Sequence, residues 1–307
     1  MDRGVAGSRA VPAAGTVWNG RVQAVFGRSV HVALNAPGPG CLTLGGVSLP
    51  AHPYSILWPD FPQDWTVGQP ITVTAQGVFG AAGELVGLTG LPRYTPSLAW
   101  RPMAENARIT QALAASRDKA AAIPSRGGFH EVFLQCHCPG PAPSDMAGRL
   151  SRSFASLGRQ LCTQLSRCLS RRQWEGVARI AGLLAGLGLG LTPAGDDFLA
   201  GVLTALRYHG HSRGHPLLAQ TELCALARQL AGQTTDFSGF LLRAAADGLV
   251  AAPVDDWLAA VHAGNPAQAA NAVSALAKLG HSSGLDTFSG LLLTLQILLG
   301  ERPWTHA

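Results

Sequence analysis

Gly186-Leu-Gly-Leu-Gly-Leu-Thr-Pro-Ala-Gly-Asp-Asp-Phe198 joins one apolar helix to the start of another, and its reading decides the layout of the C-terminal half. Glycines at 186, 188 and 190 cannot serve helix stability, since each costs roughly 1 kcal/mol against alanine in a helix interior. They mark a sharp turn or a close backbone approach. Thr192 then reads as an N-cap and Pro193 as a first-turn proline, with Asp196 and Asp197 where the helix dipole favours carboxylates. The apolar run Phe198 to Leu206 carries that helix into a core.

The stretch has a second copy. Gly190-Leu-Thr-Pro-Ala-Gly-Asp-Asp-Phe198 lies over Gly280-His-Ser-Ser-Gly-Leu-Asp-Thr-Phe288 at an offset of 90 residues, keeping a glycine, a hydroxyl, an aspartate and a phenylalanine in register. Each copy runs into an apolar helix. Thr234-Thr-Asp-Phe-Ser-Gly239 is a partial echo between them. Three helix starts thus present hydroxyls beside aspartates and could converge on one pocket. Capping alone explains one hydroxyl per start; it does not explain the whole Gly-x-[Ser/Thr]-x-x-x-Asp-x-Phe pattern.

The remaining chain frames these motifs. Its 307 residues suffice for two domains and an ample core, and only 13% are charged. The formal charge of +5 comes from scattered arginines without interleaved aromatics, which argues against nucleic acid and suits a small anionic substrate. The longest apolar run, Leu291 to Leu299, falls well short of the roughly 18 residues a membrane span needs. Residues 1–14 read as a disordered lead without a signal-peptide core, so a cytoplasmic protein is expected. Six cysteines show no secreted disulfide spacing.

An α+β fold follows. Residues 15–100 form a strand-rich domain, a small barrel or antiparallel sheet, with strands at Val22–Phe26, Val30–Leu34, Cys41–Leu44, Ile71–Thr74 and Leu85–Leu88. Trp58–Pro62 and Arg93–Ser97 read as loops. Residues 101–148 form a bridge: a helix from about Met103 to Ala122, a break, a strand over Phe129–Cys138 and a loop over Pro139–Ser144. Residues 149–307 are helical, with helices near 149–169, 173–187, 196–209, 216–232, 236–249, 254–262, 266–279 and 286–299. Cys136-His-Cys138 lacks the second pair that tetrahedral zinc wants, and His209, His211 and His215 sit in a glycine-rich connection. Neither is taken as a metal site. Arg126, beside a double glycine, is either an anion contact or a surface loop charge.

The two motifs together, Gly190 to Gly201 and Gly280 to Gly290, resemble the signature pair of a bacterial family of uncharacterised domains. That family includes one subunit of the oxamate carbamoyltransferase of anaerobic allantoin degradation. The resemblance implies a transferase subunit of a hetero-oligomer that moves a carbamoyl group between oxamate and carbamoyl phosphate, or splits oxalurate with phosphate. The phosphate-loop motif Ser-x-Arg-Thr-Arg of the aspartate and ornithine carbamoyltransferases is absent from the sequence, so their fold is not implied.

In this reading Thr192, Thr234, Thr235, Ser282 and Ser283 donate to substrate or phosphate, and Gly190, Gly195 and Gly284 let the backbone approach. Asp196, Asp197 and Asp286 orient the carbamoyl amide or hold a magnesium ion, and His281 gives a proton or contacts the anion. Carboxylates beside a dianionic phosphate repel it, so either a cation bridges them or they face amide N–H groups. The rival expectations are a non-catalytic scaffold or regulatory subunit whose motifs are packing joints, and a stand-alone binder of a small carboxylate. A homo-oligomer is a further expectation.

Overall fold

The computed structural model describes residues 4–97, 104–137, 146–212, 214 and 216–300, with backbone alone for 146–152. The chain divides into two compact units, Met1–Pro96 with Leu249–Ala252, and Ser97–Gly248 with Pro253–Ala307.

In the first unit, nine strands form one curled mixed sheet, a half-barrel. They are β1 (Val5–Gly7), β2 (Trp18–Phe26), β3 (Ser29–Leu34), β4 (Cys41–Gly46), β5 (Ser55–Trp58), β6 (Pro70–Val73), β7 (Gly77–Gly80), β8 (Gly83–Gly87) and β9 (Arg93–Tyr94). Their order is β8-β7-β6-β2-β3-β4-β5-β1-β9, with β4–β5 and β1–β9 parallel and the other pairs antiparallel. β2 shows how the residues choose this state. Trp18, Gly20, Val22 and Ala24 alternate inward while Asn19, Arg21, Gln23 and Val25 face out, the period of a half-buried strand. The inward faces meet in one core around Val22, Val30, Val32, Leu42, Leu44, Ile56, Ile71, Val73 and Val78.

Several expectations are corrected here. Residues 5–7 are not a disordered lead: they pair with β5 and β9, and Ala6 and Ala10 are fully buried. Trp58 closes a strand instead of opening a loop, and its ring meets Phe61 edge-on at 5.1 Å. Arg93–Tyr94, also expected as loop, is the β9 edge.

The second unit is helical: α1 (Asn106–Ala121), α2 (Gly128–His137), α3 (Met146–Ser170), α4 (Trp174–Leu184), α5 (Ala194–Ser212), α6 (Gln220–Ala231), α7 (Asp236–Ala246), α8 (Ala252–His262), α9 (Pro266–Leu276) and α10 (Ser283–Leu298). The expected strand over Phe129–Cys138 is α2, a helix through His137; Cys138 itself, the Pro139–Ser144 loop, the expected helix start at Met103 and His215 lie outside the described residues. Among the described residues no helix is long and apolar enough to cross a membrane.

α5 and α10 are buried on almost every face, as expected of helices at the centre of a bundle. They cross at a matched pair of glycines. A Cβ on Gly201 would run into the Thr287 carbonyl, and one on Gly290 into the Phe198 carbonyl. The contacts are reciprocal, so the helices are related by a local two-fold in which 198 answers to 287 and 201 to 290. The repeat is therefore real, with one correction. Within the helices its offset is 89, not 90, so Asp286 is the counterpart of Asp197 and not of Asp196.

Candidate functional site

The three motif aspartates start the two central helices, and all are buried at 7% exposure or less. What their oxygens meet differs. Asp196 Oδ1 accepts the Gly186 N–H at 2.8 Å and its Oδ2 accepts the Thr234 hydroxyl. Both oxygens are committed, and the residue ties the glycine-rich loop to the start of α7. Thr235 caps α7 through the Ser238 N–H at 3.1 Å, and the Thr235 and Ser238 hydroxyls donate to the Leu191 carbonyl at 2.7 and 3.3 Å. The middle echo thus holds the first motif loop in place. Thr234 and Thr235, expected as substrate contacts, spend their hydroxyls on protein oxygens.

Asp286 does a similar task for the second motif. Its Oδ1 accepts the N–H groups of Phe129 at 2.6 Å and His130 at 3.1 Å, the open donors at the start of α2. Gly128 makes this possible, because a Cβ there would collide with the carboxylate. The sequence signal was the Gly127-Gly128 pair, which the motif reading passed over. Burial pushes the Asp286 carboxyl up to about 7, against the pull of the Ser282 hydroxyl and the two N–H groups. Its Oδ2 is buried without a hydrogen-bond partner.

Asp197 is the uncommitted member. Its Oδ2 is also buried without a partner, and the hydroxyls of Ser283 and Thr192 lie close enough to favour its charged form. Burial outweighs them. It raises the Asp197 carboxyl well above the usual range, and the neighbouring Asp286 and Asp196 charges push the same way. A carboxyl so placed is biased towards its protonated form, which can donate a hydrogen bond.

Thr192 and Ser283 are the point where the copies meet. The Thr192 hydroxyl does not cap α5; it hydrogen-bonds the Ser283 hydroxyl at 3.1 Å, 91 residues along the chain. Both side chains are half-buried, next to the exposed loop Gly188 to Gly190. Ser282 sits at the N-cap position of α10 without a capping bond from its side chain. Gly195 and Gly284 are needed for packing: a Cβ on either would strike the carbonyl of Leu184 or Leu276. Gly190, at φ 97°, faces open space.

His281 is exposed, and its carbonyl takes a hydrogen bond from Arg126, which also holds the Ala277 carbonyl at 3.0 Å. Arg126 is thereby a strap on the second motif loop. Among the described residues no three His, Cys, Asp or Glu side chains are grouped to hold a metal. Magnesium, which takes about six oxygens, finds a poor donor set, because Asp196 and one oxygen of Asp286 are already spent on N–H and hydroxyl donors.

A family model described as oxamate carbamoyltransferase subunit AllH matches residues 184–295. Over these residues the chain is similar to AllH. The match runs from the end of α4 into α10, so it holds both motifs, the Thr192–Ser283 contact and all three aspartates, and it bears out the resemblance read from the motif pair. The half-barrel and α2 lie outside the stretch matched to AllH. No solved structure matches the chain.

Proposed function

We propose that this chain is a subunit of a carbamoyltransferase complex of the oxamate type, acting in the cytoplasm, and that Asp197, Thr192 and Ser283 form its small-anion site. The observation that carries the reading is the buried Asp197 carboxyl with an uncommitted oxygen beside the hydroxyl pair that joins the two motifs. Repulsion between carboxylates and a phosphate is relieved without a bridging cation. Asp196 is engaged with the backbone and Thr234, and burial biases Asp197 towards its neutral form, which offers a proton where a carboxylate would offer charge.

In the catabolic direction a phosphate oxygen adds to the ureido carbonyl of oxalurate. The carbon–nitrogen bond then breaks, and oxamate leaves as its nitrogen takes up a proton. Thr192 and Ser283 donate to oxygens on which charge collects, and Asp197 supplies the proton to the departing nitrogen and takes back the one that the attacking hydrogen phosphate gives up. Removing one such donor costs about 3 kcal/mol of transition-state stabilisation, or on the order of a hundredfold in turnover. The assay is release of oxamate and carbamoyl phosphate from oxalurate by the assembled enzyme. Asp197→Asn is expected to lower kcat by that order while assembly and melting temperature stay near wild type; turnover within a few-fold of wild type would remove Asp197 from the chemistry.

A packing role is favoured for Asp196 and Asp286, because each accepts backbone N–H groups at a helix end or loop.

A further inference from the structure

Arg126 ties down the second motif loop with only part of its side chain. Its Nη1 donates to the Ala277 carbonyl at 3.0 Å and to the His281 carbonyl at 3.3 Å. That nitrogen carries two hydrogens, so both are spent. Nε and Nη2 have no hydrogen-bond partner among the described residues, and Arg126 is exposed. What stays open is the outer edge of the guanidinium, whose parallel N–H groups match the two oxygens of a carboxylate. A side chain that served only to strap two carbonyls would need one amino group and no such fork.

This edge is placed before any ligand arrives. On one side the Ala277 and His281 carbonyls hold the guanidinium. On the other, Gly127 and Gly128, at φ 88° and 65°, turn the chain so that the Phe129 and His130 N–H groups reach Asp286. The same loop carries Ser283, two residues after His281, and the Ser283 hydroxyl meets Thr192. Arg126 is therefore fixed to the segment that supplies half of the hydroxyl pair. The Asp197–Thr192–Ser283 node has hydroxyls and a carboxyl but no positive charge of its own, whereas oxamate, oxalurate and phosphate are all anions.

We propose that the Nε–Nη2 edge of Arg126 binds the carboxylate of the oxamate half of the substrate, and so selects amides that bear a carboxylate. The proposal deepens the functional reading above and rests on it. In oxamate the nitrogen that gains or loses the carbamoyl group is separated from the carboxylate oxygens by two carbons. Holding the carboxylate at Arg126 thus leaves that nitrogen free to turn towards the hydroxyl pair and Asp197. A preorganised fork of this kind gives orientation as well as affinity.

The test compares oxamate with oxamide, its neutral diamide of the same size, as ligands of the assembled enzyme in titration calorimetry. Wild type should prefer oxamate by about tenfold or more. Arg126→Gln, whose amide can still donate to a loop carbonyl, should weaken oxamate by about the same factor and change oxamide by less than about twofold. Arg126→Lys restores the charge without the fork and should fall between the two for oxamate; it decides the matter if the glutamine variant fails to assemble. A strap without a binding role would weaken both ligands alike. Equal losses, an unchanged oxamate affinity, or no preference in wild type overturns the proposal. The two readings fail separately: Asp197→Asn should keep the oxamate preference, so near-normal oxalurate turnover in that variant removes the acid and leaves the Arg126 edge standing.

Discussion

Replacing Asp286 by asparagine keeps an oxygen for the Phe129 and His130 N–H groups and removes a group that must ionise while buried. With a folded-state value of about 7 against roughly 3.9 unfolded, the native state holds a proton that the unfolded chain has lost between those limits. Stability from this group is thus fully present below about pH 4 and is lost as pH rises towards 7. The difference amounts to a few kcal/mol, at roughly 1.4 kcal/mol per unit. Urea unfolding from pH 4 to 8 should show wild-type stability declining relative to Asp286→Asn across that window. Parallel curves would mean that Asp286 is not the buried acid described here. At this scale the sequence was legible in kind: all three aspartates and the Thr192 and Ser283 hydroxyls were singled out. It does not say which carboxylates keep an oxygen without a partner, since that depends on the starts of α2 and α7, far along the chain.

Among elements, the helices were readable because their joints carry Gly, Pro and Asn; Asn265, for instance, caps α9 through the Gln268 N–H with Pro266 behind it. β5 and β7 were not. Ser55-Ile-Leu-Trp58 is a short apolar run between prolines, and Gly77-Val-Phe-Gly80 has a glycine at each end, so neither shows a period. α2 carries Val132, Phe133 and Leu134 together among polar residues, a run too short to show a helical period. Its start is fixed instead by the distant Asp286, a tertiary contact that local pattern cannot contain. The α5–α10 crossing carries its own prediction. Gly201→Ala places a methyl against the Thr287 carbonyl, where neither helix can give way without losing the other contact at Gly290. A loss of 1–3 kcal/mol or more is expected in chemical denaturation; a neutral result would contradict the close approach.

For the whole molecule, the informative fact is that residues 91 apart in sequence share one hydrogen bond beside a buried acid. The repeat made that meeting foreseeable, and the family match covers the same stretch. Matching the conspicuous phenylalanines gives a register one residue off, because the crossing glycines set the true correspondence. The central proposal is that Asp197 carries its proton when substrate arrives, as the upward push of burial favours. Infrared difference spectra of wild type minus Asp197→Asn at neutral pH test it most directly. A carboxylic-acid carbonyl band should be present and should shift when oxamate or phosphate is added. A spectrum showing only carboxylate, unchanged by either anion, would contradict the account.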